Sequence, residues 1–288
     1  MLYANLPVAD YDLDVTLSCG QAFRWVRRDD GWEGVVGSRW VRLCRAGDCL
    51  VAQTSESVPD WRWLAHYLQM EANLAEIVAT FPQDEPMRAA VAACRGMRLL
   101  RQDPWECLAS FICSSTKQIV QIQQIIALLC QRFGESVVVP QGRPETWTFP
   151  TAQRLANASE TELRACKLGF RAPNLRAAAQ KVASGEVKLD GSLSLDEARA
   201  ELTKLPGVGP KIADCALLFG FGYQRAFPVD TWIMHAMRRL YFPKRKIKPP
   251  QIRHFIDTYF GPHAGYAQQY LFHYMRTKVG RSNSHYVG

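Results

Sequence analysis

The chain changes texture once along its length, and that change limits its fold more than any other feature. Through residue 55 the apolar residues come in short runs, "QAFRWVR", "WEGVVG", "RWVRLCR" and "CLVAQ", rich in aromatic and β-branched side chains. Turn signals part them: Asp29-Asp30-Gly31, Gly37-Ser38 and Ala46-Gly47-Asp48. Connections this short favour antiparallel pairing, so the spacing predicts a meander of strands. One face of such a sheet needs a cover, and "WRWLAHYLQM" (61–70) has the helical apolar spacing to supply it.

From about residue 75 helical spacing takes over. "PWECLASFICSSTKQIVQIQQIIALLCQRFG" (104–134) carries Asp103 as a cap, Pro104 at the first helical position and Gly134 as a stop. It is interrupted at "SSTK", which predicts two helices in succession. "SETELRAC" (159–166) reads as a capped helix ahead of a tight turn, "LGFR" (168–171). In "SLDEARAELTKLPGVG" (194–209) Ser194 caps a helix with Glu197 at its third position. Strands first and helices afterwards predict an α+β protein, with an antiparallel sheet domain over 1–80 and a helical domain over 81–288.

Nothing in the sequence reaches eighteen consecutive apolar residues, and the start, "MLYANLPVADYDLD", has neither a basic nor an apolar leader region. A soluble, intracellular protein with no membrane partner is expected. The nine cysteines form no CxxC pair and no C-x6-C-x2-C-x5-C array, which supports neither a zinc ribbon nor a cysteine-held iron–sulfur cluster. Charge is uneven. Residues 201–288 hold thirteen lysines and arginines against four acids, so the last third carries the whole excess behind the net +8. That asymmetry points to a polyanion, nucleic acid first, with a solvated basic surface as the plain alternative. The densest run, "KRKIK" (Lys244–Lys248), suits a backbone phosphate grip or a solvated loop ahead of a targeting signal.

The most informative stretch is "LPGVGPKIADC" (205–215). Gly207 and Gly209 let the backbone turn tightly between two helices and approach something closely. The second helix begins near Pro210, where N–H groups and the helix dipole suit a phosphate; a bare helix–helix connection is the alternative. Lys211 lies one turn in, with Cys215 four residues on along the same face. It can hold a phosphate, or it can act as a nucleophile, since a helix N-terminus and partial burial both favour the neutral amine. A neutral amine attacks a carbon bearing a leaving group and goes on to a Schiff base. Nineteen residues later "FPVD" ends at Asp230, ahead of the apolar-periodic "WIMHAMRRLYF". A helix cap and a catalytic carboxylate are both open at that position.

These residues resemble a known family. "LPGVGPKIADC…FPVD" is similar to the helix-hairpin-helix and Gly/Pro-Asp loop of base-excision DNA glycosylases. "RLLRQDPWECLASFICSS" (98–115), "SCGQAFRW" (18–25) and "GPHAGYAQQYLF" (261–272) narrow the resemblance to the 8-oxoguanine DNA glycosylase/AP lyase family, over about residues 12–275. The resemblance implies Lys211 as Schiff-base nucleophile and Asp230 as the catalytic carboxylate. It implies a base pocket made by the Gly20 carbonyl, Cys215, Phe219, Gln268 and Phe272; without it Gly20 reads as a turn glycine and Cys215 and Phe272 as ordinary core. It implies Phe170 as a wedge in the vacated stack and Arg171 against the orphaned partner base. It implies that Gly207, Gly209 and Trp232 contact DNA, Trp232 standing where many relatives have histidine. Backbone carbonyls of Thr203, Leu205 and Val208 are implied to hold a monovalent cation. No redox cofactor and no iron–sulfur cluster is implied, and the partner is duplex DNA containing oxidised guanine, bound by a monomer in the bacterial cytoplasm or eukaryotic nucleus.

One departure stands out. Thr116 and Gln121 occupy positions where better-known members have asparagine and arginine reading the orphaned cytosine, and a bidentate arginine is worth about 1–3 kcal/mol of base discrimination. Relaxed preference for the opposite base is therefore expected. The competing expectations are a glycosylase for another damaged base and a non-catalytic DNA-binding module that keeps only the hairpin.

Overall fold

The computed structural model describes residues 2–29, 31–115, 117–187, 191–243 and 247–279. Five strands form one antiparallel sheet: β1 (Tyr3–Pro7), β2 (Val26–Arg28), β3 (Gly31–Val36), β4 (Arg39–Ala46) and β5 (Cys49–Thr54). Their order is β1-β5-β4-β3-β2, a meander from β2 to β5 closed by β1 on the far edge. Trp32 lies opposite Leu43, and Val41 opposite Thr54, so Val41, Leu43, Leu50 and Ala52 all point to one face. There they meet Leu64 and Leu68 of the covering helix α2 (Arg62–Leu68), with Trp25 and Leu100. The α+β class expected from the sequence is the class the chain adopts.

Two elements of this half went unpredicted, and one was overextended. β1 pairs with β5, Tyr3 opposite Gln53 through Pro7 opposite Cys49, but alternates only between exposed and half-buried residues. Helix α1 (Leu13–Ser18) is capped by Asp12, which accepts the Val15 N–H at 2.8 Å. In "QAFRWVR" only Val26 and Arg27 join the ladder, continuing to Arg28. The residues before them leave the sheet because Gln21 is spent elsewhere. Its buried amide donates to the carbonyls of Thr16 (2.9 Å) and Arg98 (2.8 Å) and accepts the Leu100 N–H (2.8 Å). The Gln21 carbonyl in turn accepts from the Gln102 side chain at 2.7 Å. This seam welds the sheet to the segment that leads into the helical body.

That body runs through α3 (Leu74–Ala79), α4 (Glu85–Ala93), α5 (Pro104–Cys113), α6 (Ile119–Phe133), α7 (Ala152–Ala156) and α8 (Glu160–Ala165). It continues with α9 (Ala172–Ala183), α10 (Leu195–Thr203), α11 (Pro210–Ala216), α12 (Thr231–Ala236), α13 (Pro249–Tyr259) and α14 (Ala264–Tyr274). α5 is its axis: every residue from Cys107 to Cys113 is buried. The predicted caps are in place, with Asp103 accepting the Glu106 N–H at 2.8 Å and Ser159 and Ser194 in reciprocal boxes with Glu162 and Glu197. The break at "SSTK" is real: Ser114 ends α5 and Gln118 opens α6. Gly134 ends α6 where a Cβ would lie 2.1 Å from the Thr148 carbonyl oxygen. Among the described residues no helix is long and apolar enough to cross a membrane.

Candidate active site

The hairpin is built for a close turn. α10 ends at Thr203, and the chain closes through Leu205 N–H to Leu202 C=O and Val208 N–H to Leu205 C=O, both 3.1 Å. Gly207 sits at φ +79°, and a Cβ there would come within 2.8 Å of Asn174. Gly209 faces open space and starts α11, with Pro210 at its first position. An ion-pair triad centred on a buried carboxylate ties the helices together. Asp214, with 0% exposure, accepts from Arg199 at 2.8 Å and Arg253 at 2.9 Å, joining α10, α11 and α13.

Lys211 therefore projects from a braced helix, half-buried. Its Nζ lies 3.3 Å from Ser114 Oγ and 5.1 Å from the centre of the Phe111 ring. The Ser114 hydroxyl donates to the Phe111 carbonyl at 2.7 Å, which leaves its lone pairs for the lysine. Asp230 caps α12 by accepting the Ile233 N–H at 2.8 Å. Burial pushes its carboxyl above the usual carboxylate range, against the opposing pull of the Ile233 N–H and the Lys211 charge. Asp230 also lines an open cleft of about 510 Å³ with Val229, Thr231, Met234, His235 and Arg238. A larger hollow, about 610 Å³, lies at Asp10–Asp14 of the sheet half, away from Lys211. Half-buried Trp232 stands in the first turn of α12.

The second wall joins the Gly20 loop to α14. Gln269 of α14 donates to the Cys19 carbonyl at 3.0 Å, and Arg276, just past the end of that helix, to the Ser18 carbonyl at 2.8 Å, which ties the loop down at two points. Gly20, at φ +85°, packs where a Cβ would stand 2.9 Å from the Ile119 methyl and 3.6 Å from the Phe272 ring. Buried Gln268 donates through Nε2 to the Pro228 carbonyl at 3.1 Å, while its Oε1 has no partner among the described residues. Burial pushes the Cys215 thiol up to about 12, so it is a neutral, apolar surface. Phe219 lies one layer deeper, stacked on Phe111 at 5.7 Å. Gly20 and Phe272 are thus brought together, whereas Phe219 backs the ring beneath Lys211.

The outward face differs from expectation in two places. Phe170 is 61% exposed, as a wedge requires. Arg171 is buried instead of presented: its guanidinium donates to the Leu168 carbonyl at 3.2 Å and to the Ser115 carbonyl, with the Phe170 ring 4.2 Å above it. The two carbonyls offset part of the cost of taking the guanidinium out of water. Gln121 is exposed, but its side-chain oxygen accepts the Gln118 N–H at 3.2 Å and closes the cap of α6. Thr116 lies outside the described residues, as do 244–246 of the basic run. No disulfide joins the nine cysteines, and no group of three or more His, Cys, Asp or Glu among the described residues could hold a metal ion.

Comparison with known proteins decides the lineage. Residues 4–108 match the 8-oxoguanine DNA glycosylase N-terminal domain, and residues 109–262 match the HhH-GPD superfamily of base excision DNA repair proteins. The chain belongs to the 8-oxoguanine DNA glycosylase family. It is 32% identical to the N-glycosylase/DNA lyase OGG1 of Arabidopsis thaliana over 93% of this chain and 78% of that one. Among solved structures, MBOgg1 in complex with a low-affinity DNA ligand superposes at TM-score 0.89 with 34% identity, covering 96% of this chain and 99% of that one. The Clostridium acetobutylicum 8-oxoguanine glycosylase/lyase, in complex with double-stranded DNA containing cytosine opposite 8-oxoG, gives 0.88 with 31% identity, covering 95% and 97%.

Within this glycosylase family member, sequence reasoning overlooked Ser114, Phe111, Gln269 and Arg276. Ser114 and Phe111 stand inside the motif "FICSS", yet only the fold brings them to Lys211, Ser114 from 97 residues away. The available signal was a polar pair closing an otherwise apolar helix.

Proposed function

We propose that this chain is a bifunctional DNA glycosylase/AP lyase that releases 8-oxoguanine from duplex DNA and then cuts the strand. A base inside a duplex cannot be attacked at its sugar carbon, so it is rotated out into a pocket and read there. Phe170 fills the gap it leaves, and the hairpin at Gly207 and Gly209 grips the backbone. The base enters between Cys215 and Phe272, with the Gln268 amide on its Watson–Crick edge and the Gly20 carbonyl accepting the hydrogen on N7. Trp232 and Gln121 contact the surrounding DNA.

Lys211 Nζ forms a bond to C1′ as the glycosidic bond breaks and its electron pair leaves with the base. The amine loses a proton, the sugar ring opens, and the resulting imine permits β-elimination of the 3′ phosphate. Asp230 stabilises positive charge developing on the sugar. The carbonyls of Thr203, Leu205 and Val208 share one tight turn, an all-oxygen set that suits a hard monovalent cation supporting a phosphate. The enzyme acts as a monomer where its DNA is. Of the two units, 1–80 supplies the Gly20 carbonyl to the base pocket, and 81–288 supplies the rest of the pocket, the grip on DNA and the chemistry.

The observation that carries this reading is the amine of Lys211, half-buried at the mouth of a braced hairpin and oriented by Ser114. Borohydride trapping tests it. A covalent adduct should form on 8-oxoguanine duplex with wild type and vanish in Lys211→Gln. Absence of an adduct in wild type would favour a bare DNA-binding module. Adducts formed only on other damaged bases would reassign the pocket.

A further inference from the structure

Arg171 occupies a place where the exposed loop at Phe170 touches the turn that orients Lys211. Its guanidinium is 3% exposed and spans two loops, donating to the Leu168 carbonyl of its own turn and to the Ser115 carbonyl at the end of α5. The Phe170 ring lies over it at 4.2 Å, close enough for a cation–π contact. Ser115 follows Ser114, whose hydroxyl takes Lys211 Nζ at 3.3 Å while donating to the Phe111 carbonyl. A continuous path of contacts therefore runs from an aromatic ring in solvent to the amine in the site.

We propose that Arg171 is a positioning residue that couples insertion of Phe170 to the placement of the Lys211 amine. This rests on the functional reading above, in which Phe170 enters the stack and Lys211 attacks the sugar. Pressure on the Phe170 ring acts on the guanidinium beneath it. The planar fork, held by carbonyls on both sides, transmits that displacement to the Ser114–Ser115 turn. A guanidinium turned inward to two carbonyls is also not presented to a partner base, so its effect is on rate rather than on the choice of opposite base.

The test is single-turnover excision by wild type, Arg171→Gln, Ser114→Ala and the double variant, on 8-oxoguanine paired with C, A, G and T. Binding to a duplex carrying an uncleavable abasic analogue is measured alongside. Misplacing a reacting group costs up to about a hundredfold, so Arg171→Gln should slow excision by about tenfold or more, by the same factor opposite all four bases. Affinity for the abasic analogue should change by less than about threefold, which a defect in docking would not allow. Because the two residues act along one path, the double variant should be no slower than the slower single one.

Ser114→Ala leaves the bonds of Arg171 intact and keeps the proposal testable if Arg171→Gln unfolds: on its own it should slow excision uniformly across the four pairs, and wild-type speed in that variant overturns the coupling. Losses that multiply in the double variant also overturn it. So does an Arg171→Gln enzyme that keeps its best rate but changes its ranking of opposite bases, because that marks a base reader. If wild type itself leaves every 8-oxoguanine duplex intact, the functional reading falls first and takes this one with it.

Discussion

In the proposed mechanism Asp230 carries two jobs that one substitution separates. In Asp230→Asn the oxygen that accepts the Ile233 N–H at 2.8 Å is retained, and asparagine caps helices about as well as aspartate. Only the charge is lost. Asp230→Ala loses the cap as well, at about 1 kcal/mol, which lowers Tm by roughly 2–4 °C in a chain of this size. Burial raises the Asp230 pKa against the opposing pull of the Ile233 N–H and the Lys211 charge, so the folded state holds this proton more readily than the unfolded chain. The group's contribution to stability is therefore full below the unfolded carboxylate range and falls as pH rises through the folded pKa. Asparagine has no charge to bury and escapes that loss. Asp230→Asn should thus be at least as stable as wild type at pH 7 while excising about 10²–10⁴-fold more slowly, the usual range for a lost acid–base or charge-stabilising group. Single-turnover excision on an 8-oxoguanine duplex, with thermal unfolding from pH 5 to 8, reads both. An asparagine variant that excises at wild-type speed would refute the reasoning and reduce Asp230 to a helix cap.

Other expectations follow from the same geometry. With the Gln121 side chain engaged in the cap of α6, excision opposite C, A, G and T should agree within about tenfold; a hundredfold preference for C rejects this. Asp214→Ala strips Arg199 and Arg253 of their shared carboxylate and should cost about 3 kcal/mol, read as a fall in Tm that an unchanged melting curve would contradict. Gly20→Ala forces a side chain into φ +85° and within 2.9 Å of the Ile119 methyl, at about 1–2 kcal/mol. It should slow release of 8-oxoguanine while nicking of preformed abasic sites continues, and equal loss of both would count against a base-reading role for this loop.

Local chemistry was legible in the sequence wherever a residue acts on its own neighbours. Asp103, Ser159, Ser194 and Gly134 announce helix ends because a cap is satisfied within three or four residues. Gly207 and Gly209 likewise declare a turn before any partner is known. What was hidden depends on distant chain. β1 has no strong alternation because it is an edge strand, and its partner lies about fifty residues on. Gln21 and Trp25 look like strand residues by composition, yet they leave the ladder to fill a seam and a core. Arg171 looks outward-facing on a short turn, and only the arrival of the Ser115 carbonyl gives it an interior. Ser114 is likewise invisible as a lysine partner until α5 and α11 cross. The α+β class was open to sequence reasoning because it depends on periodicity; the interior of the site was not, because it depends on crossings.

The Gln21 amide has a mechanical consequence. Its side chain and carbonyl make four hydrogen bonds, three of them to the 98–102 segment, and sliding the sheet against the helices would strain them together. A molecule stitched this way resists closing over its substrate like a jaw. On the proposed function, bringing a damaged nucleotide to Gly20 and Lys211 at once then falls chiefly to the softer party, the double helix.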